Sequence, residues 1–403
     1  MQEFQATPAR AARALQAAQR VDNIEPFRVM EMVTAAAAMR RDGIDVISMS
    51  VGEPDFTAPE MVAEAAIDAI RNGATQYTES LGLPALREAI AGHYARAYGL
   101  SIDPRRIVVT AGASAGLLLA CAALVSEGDQ VLMPDPCYPC NRHFVSAFGG
   151  QPVLVPSGAE DRYQLSAAHV AGHWNERMRG VLVASPSNPT GTSMTPQQAQ
   201  DLVACVRARG GFSIVDEIYQ GLSYDAKPVS ALSFGDDVIT VNSFSKYFSM
   251  TGWRLGWLVV PDSLVPTIEK LAQNLFICAP TIAQHAALAC FRPEAIEIYE
   301  GRRLEFQRRR DFLVPALREL GFSVPVMPDG AFYVYADIAG LDHPQAHDST
   351  AFGMAALQDA HVAIVPGDDF GFAAPKRHVR FSYATQYERI EQAVERLRRL
   401  LAR

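Results

Sequence analysis

Val238-Ile239-Thr240-Val241-Asn242-Ser243-Phe244-Ser245-Lys246 begins as a short apolar, β-rich run and closes on two serines and a lysine. The run reads as a buried strand, and the polar residues after it fall just beyond the strand's carboxyl end. Working outward, further runs of this kind recur at Arg106–Thr110, Gln130–Met133, Pro152–Val155, Val181–Ser185, Phe212–Asp216 and Trp257–Val260. Most are continuously apolar, as strands covered on both faces are, and helical stretches separate them. One of those helices is well marked: Thr195 caps it, Pro196 fits its first position, Gln198 completes a capping box, and Gly210-Gly211 ends it. Such alternation predicts an α/β fold with a mostly parallel sheet and right-handed crossovers.

Beyond about residue 291 the character changes. A long charged helix, Ile296 to Leu320, precedes strands around Phe332–Ala336 and Val379–Tyr383 and a terminal helix. This reads as a smaller α+β domain joined by the amino-terminal segment. The expected division is 52–291 for the large domain, with 1–51 and 292–403 in the small one.

Open α/β sheets bind ligands beyond the carboxyl ends of their strands. Four polar or small-residue segments stand there: Gly112-Ala113-Ser114, Ser187-Asn188-Pro189-Thr190-Gly191, Asp216-Glu217-Ile218-Tyr219, and Ser243-Phe244-Ser245-Lys246 continuing to Arg254. Alone, each has a plain reading as a turn, a helix cap or a surface charge. Asp216-Glu217 would suit an ATPase, but no GxxxxGK[ST] exists in the chain, and no GxGxxG follows a strand.

Composition narrows the field. Of 403 residues, 49% are hydrophobic and 20% charged, an ordinary globular balance. The net charge of −8 argues against a nucleic-acid surface or a polybasic membrane patch. The arginines at 302, 303, 308, 309 and 310 read as the solvated face of a helix. The longest apolar run, Gly116 to Val125, is about half a bilayer span. Residues 1–20 have a transit-peptide flavour but read more plainly as a short helical arm. Six cysteines in so long a chain fit a reduced, cytoplasmic protein. Cys137 and Cys140 have CxxC spacing with only His143 near, short of the four ligands of structural zinc, so no metal is expected.

Together the four segments supply what an aldehyde-bearing pyridinium phosphate requires: an amine, a carboxylate for the ring nitrogen, and small turns, hydroxyls and an arginine for the phosphate. The set of Asn188-Pro189-Thr190-Gly191, Asp216-Glu217-Ile218-Tyr219, Ser243-Phe244-Ser245-Lys246 and Gly252-Trp253-Arg254-Leu255-Gly256 resembles class I/II aminotransferases of fold type I. The resemblance runs from about Val51 to Tyr383. It implies pyridoxal 5'-phosphate as cofactor, with Lys246 forming the imine and Asp216 pairing with the ring nitrogen. Tyr219 and Asn188 would hydrogen-bond the ring's phenolic oxygen, and Tyr138 would stack on the ring. Ser243, Ser245, Arg254 and the amides of Ala113 and Ser114 would hold the phosphate. Arg380 and the backbone at Gly52 match the groups that receive the substrate's α-carboxylate. Tyr77 matches a residue lent to the neighbouring subunit's phosphate, which implies a homodimer with shared sites.

The implied reaction is ping-pong transfer of an amino group from an amino acid to a 2-oxo acid. Two alternatives stay open: another reaction on the same frame, such as β-elimination, and a non-enzymatic cofactor-binding regulator. The short, weakly patterned stretch before the matched region and the acidic net charge argue against the regulator. Some aspartate-preferring relatives carry a lysine in the phosphate loop, or an arginine from the partner subunit; this loop reads Ala113-Ser114, and Phe276–Pro280 is apolar where a charge could have stood, so a neutral or aromatic side chain is expected.

Overall fold

The structure is a computed structural model that describes residues 15–26 and 29–402; most of the expected amino-terminal arm, Phe4 included, lies outside the described residues. Strand β1 is Ile47–Ser48, followed by β2 Ile107–Thr110, β3 Gln130–Asp135, β4 Gln151–Pro156 and β5 Met178–Ala184. Then come β6 Phe212–Asp216, β7 Ile239–Ser243, β8 Gly256–Val259, β9 Tyr333–Asp337, β10 Val362–Ala363, β11 Val365–Pro366 and β12 His378–Ser382.

Seven of these form one sheet in the order β2-β8-β7-β6-β5-β3-β4. Its neighbours pair in parallel except for β8, which runs opposite to both β2 and β7. Residues 244–255 join β7 to β8, which returns antiparallel to it. Strands β2 and β6 to β8 are buried almost throughout, as their apolar runs require. Strand β4, at one edge of the sheet, is only half-buried, whereas β2, at the other edge, is buried throughout. Burying each Val, Leu or Ile of these strands is worth roughly 1.5–3 kcal/mol.

The capped helix spans Pro196–Arg207, with the Thr195–Gln198 capping box formed. Its chain then turns at Gly210, where φ is 70°, a conformation that suits glycine. Downstream, β11, β12 and β9 make a second sheet, antiparallel throughout. Strand β1 pairs in parallel with β10, which fastens the segment before Gly52 to the carboxyl-terminal part of the chain.

The long helix is Pro293–Glu319, and here the sequence reading needs correction. Arg309 and Arg310 are buried, not part of a solvated face. Arg309 pairs with Asp55 at 2.8 Å and with Glu305 at 3.0 Å, while Arg310 pairs with Asp225 and Asp311. Helical periodicity turns these two positions inward, and the carboxylates offset the cost of burial. Among the described residues no helix is long and apolar enough to cross a membrane.

Candidate active site

Because β8 runs against its neighbours, its amino end meets the carboxyl ends of β2, β5, β6 and β7 at one edge of the sheet. A cavity of about 420 Å³ opens there. Twelve of the thirteen residues singled out from the sequence line it, and Tyr77 does not.

At one end, Gly112 takes φ 86° and delivers the chain into the helix Ala113–Leu124, so the Ala113 and Ser114 amides sit in its first turn. A Cβ on Gly112 would lie 2.6 Å from Arg254 Nη2, so only glycine lets that guanidinium approach the backbone. Arg254 Nη1 donates to Thr251 O at 3.0 Å. Ser245 N donates to Ser243 Oγ at 3.0 Å, and the two hydroxyl oxygens are 2.9 Å apart. Amides of a helix start, two hydroxyls and a guanidinium in one corner make an anion cradle.

Along the middle, Asp216 ends β6 with 6% of its surface exposed. Its Oδ1 accepts from Ile218 N at 3.0 Å, yet no described cation forms an ion pair with it. Burial pushes its carboxyl up to about 6, opposed by the Ile218 bond and the charge of Lys246. The adjoining Glu217 points away from the cavity, bonded to Ser230 and the Ala231 amide, and burial pushes it up to about 8. Tyr138, just before the helix Pro139–Ser146, and Tyr219 complete this wall. Burial pushes both phenols up.

Lys246 Nζ donates to Gly52 O at 2.5 Å. Burial lowers its ammonium to about 8, with Glu53 opposing and Arg380 and Arg254 assisting. Such an amine is substantially neutral near pH 8 and therefore nucleophilic.

At the far end Arg380, 4% exposed, donates from Nη1 to Asn188 Oδ1 at 2.8 Å and from Nη2 to Ser50 O at 2.7 Å. Its guanidinium lies 4.5 Å from the Tyr333 ring centroid and 4.9 Å from that of Phe370. Its Nε is buried without a partner, and among the described residues no carboxylate pairs with it. With the Asn188 carbonyl so engaged, its NH2 is the end able to donate into the cavity.

Tyr333 is a site residue the sequence did not disclose. Its hydroxyl is 2.8 Å from that of Tyr219, its ring carries Arg380, and a Cβ on Gly52 would lie 2.7 Å from its oxygen. Tyr77 stands elsewhere, 79% exposed, its neighbour Gln76 held by Thr281 Oγ1 at 2.8 Å.

An amine, a buried carboxylate and a buried guanidinium thus share one cavity without ion pairs among themselves. Uncompensated buried charge costs several kcal/mol, so such a site is completed by an outside molecule bearing complementary charges. A pyridinium ring with a phosphate, met by a carboxylate substrate, has that pattern.

Known proteins agree. The sequence pattern described as "Aminotransferase class I and II" matches residues 44–397. A valine–pyruvate aminotransferase of Mycobacterium tuberculosis is 40% identical over 376 residues, covering 93% of this chain and 96% of its own. An aspartate aminotransferase of Pyrococcus abyssi is 35% identical over 390 residues, covering 95% and 97%. The crystal structure of an aminotransferase from Mycobacterium tuberculosis superposes with a TM-score of 0.92 at 39% identity, covering 96% of this chain and all of that one. Fold, cavity and relatives converge: this chain belongs to the class I and II aminotransferases, and it is a transaminase.

Proposed function

We propose that the cavity holds pyridoxal phosphate with Lys246 as its point of attachment, and that transamination proceeds there by a ping-pong exchange. Members of this family depend on that cofactor. When bound, it supplies an aldehyde for amine exchange and a ring that withdraws electrons from the substrate's α-carbon. The observation that carries the reading is the convergence of Lys246, Asp216 and Arg380 on one cavity, three ionisable groups that form no salt bridge with any described residue.

Each residue then has a task its surroundings favour. Arg254, Ser243, Ser245 and the amides of Ala113 and Ser114 bind the phosphate. Asp216 keeps the ring nitrogen protonated, because a buried carboxylate gains from a cation beside it. Tyr219 and Asn188 donate to the ring oxygen, while Tyr138 packs on the ring face. Arg380 binds the substrate α-carboxylate, with the Gly52 backbone alongside. Lys246 Nζ would serve as the base that takes the proton from the substrate α-carbon and, as its conjugate acid, would hand that proton to the carbon of the cofactor's aldehyde group.

Tyr77 is exposed and away from its own cavity, and we assign it to a partner's phosphate in a homodimer. We assign residues 52–291 to a cofactor-binding domain, and 1–51 with 292–403 to a smaller one whose movement would close the cleft. Six unbonded cysteines favour a cytoplasmic location.

A spectral titration of the loaded protein with a panel of amino acids tests the reading. Conversion of the cofactor band to that of the amine form, with one oxo acid released, supports it. Release of ammonia or carbon dioxide instead would assign another reaction to the frame.

A further inference from the structure

We infer that Tyr333 is a positioning residue that works through Tyr219: its hydroxyl donates to the Tyr219 oxygen, strengthens the bond Tyr219 makes to the cofactor's ring oxygen, and so eases loss of the imine proton at Lys246. The inference rests on the site reading above, which takes Lys246 as the point of attachment and Tyr219 as a donor to the ring.

Strand pairing brings Tyr333 to the site. It opens β9 opposite Ser382 of β12, and Arg380 stands two residues before Ser382. The Tyr333 and Arg380 side chains therefore share one face of the small sheet. On that face the Tyr333 ring carries the Arg380 guanidinium, 4.5 Å from its centroid, and the Tyr333 hydroxyl reaches that of Tyr219 at 2.8 Å. The two rings meet edge to face with centroids 5.7 Å apart, and Phe332 packs edge-on against Tyr219 as well. Gly52 lies on another side of the pair. A Cβ there would come within 2.7 Å of the Tyr333 oxygen, and the Gly52 carbonyl accepts from Lys246 Nζ. Packed rings thus hold the hydroxyl pair beside the reacting amine.

Proton counting sets the direction of the bond. Each phenol has one proton to give, and burial pushes both phenols up, so both keep it at neutral pH. Between the two hydroxyls either can be the donor. Once Tyr219 gives its proton to the ring oxygen, the bond between the pair forms only if Tyr333 donates. A donor whose own oxygen accepts a hydrogen bond is polarised and donates more strongly, above all where water is excluded. The ring oxygen depends on that donor most after the imine proton has left, when its negative charge loses the adjacent cation. A stronger Tyr219 bond therefore favours the unprotonated imine over the protonated one. A Tyr333 that only filled space would leave that titration where it was.

Absorbance titration of the pyridoxal-phosphate-loaded protein reads the imine proton directly, apart from turnover. Tyr333→Phe removes the hydroxyl and keeps the ring against Arg380. The acid dissociation constant of its imine should fall about threefold or more. 3-Fluorotyrosine in place of Tyr333, a more acidic phenol of nearly the same shape, should raise it. Tyr219→Phe should lower the constant further than Tyr333→Phe does, and in that background Tyr333→Phe should add no shift. An unchanged or raised constant in Tyr333→Phe, an unmoved one in the fluorinated protein, or an equal shift with and without the Tyr219 hydroxyl would each overturn the inference. A loaded protein that shows no titrating imine would refute the site reading itself, and the inference with it.

Discussion

Arg380 Nη1 donates to Asn188 Oδ1 at 2.8 Å, a bond between the middle of β12 and the loop that follows β5. It joins the residue that would grip the substrate to one that would touch the cofactor ring. Carboxylate binding and ring contact are therefore set by one hydrogen bond, and the guanidinium plane is further fixed by Ser50 O and the Tyr333 ring.

Arg380→Lys keeps the charge but loses the fork. A lysine cannot hold Asn188 and Ser50 while presenting paired donors to a carboxylate. Steady-state kinetics should show kcat/KM lowered by about two orders of magnitude or more, near 2.7 kcal/mol, with the spectrum of bound cofactor unchanged. Unaltered kinetics toward every amino acid tried would place the carboxylate elsewhere.

Asp216 is buried at the end of β6, and no described cation forms a salt bridge with it. Asp216→Ala should still take up pyridoxal phosphate, because the phosphate corner is intact. Turnover should fall by about three orders of magnitude or more, since the ring no longer keeps its positive charge. A near-normal kcat would contradict the role.

Much of this was legible because chemistry follows strands. Phe212–Asp216 was read to the residue, and Asp216, Asn188 and Lys246 each sit at or just past a buried run. Tyr333 was not legible: it lies in an apolar strand, and its partner Tyr219 is 114 residues away. Nothing in its neighbourhood distinguishes it from a core aromatic. Arg309 and Arg310 misled for the converse reason: besides the nearby Glu305 and Asp311, each meets a carboxylate remote in sequence, Asp55 254 residues from Arg309 and Asp225 85 residues from Arg310.

Lys246 should betray its surroundings in pH dependence. Burial lowers its pKa from 10.5 to about 8, so the reactive free amine is abundant earlier on the pH scale. In the cofactor-free protein, the rate of pyridoxal phosphate uptake should rise with pH and level off above about 8. Between about 8 and 10.5 the unfolded chain binds more protons at this residue, so its contribution makes stability rise with pH. Lys246→Met should flatten that rise in chemical denaturation. An uptake midpoint at the ordinary lysine value, near 10.4, would refute the lowered pKa.

Tyr77 gives the dimer a catalytic reason. Tyr77→Ala and Lys246→Ala should each be badly impaired alone. In mixed dimers with shared sites, both lesions fall in one site and the other is intact. Activity should return on subunit exchange to about a quarter of wild type, since about half of randomly formed dimers hold one good site. No recovery after exchange has been verified by mass spectrometry would mean that Tyr77 serves its own subunit.

The central claim is that Lys246 is where the cofactor is attached. The chain has only four lysines, the others being Lys227, Lys270 and Lys376, so the question has a clean answer. Borohydride reduction of the loaded protein, followed by proteolysis and mass spectrometry, should find a single pyridoxyl group, on the peptide containing Ser243-Phe244-Ser245-Lys246. A stoichiometric label on Lys227, Lys270 or Lys376, with Lys246 unmodified, would contradict the account.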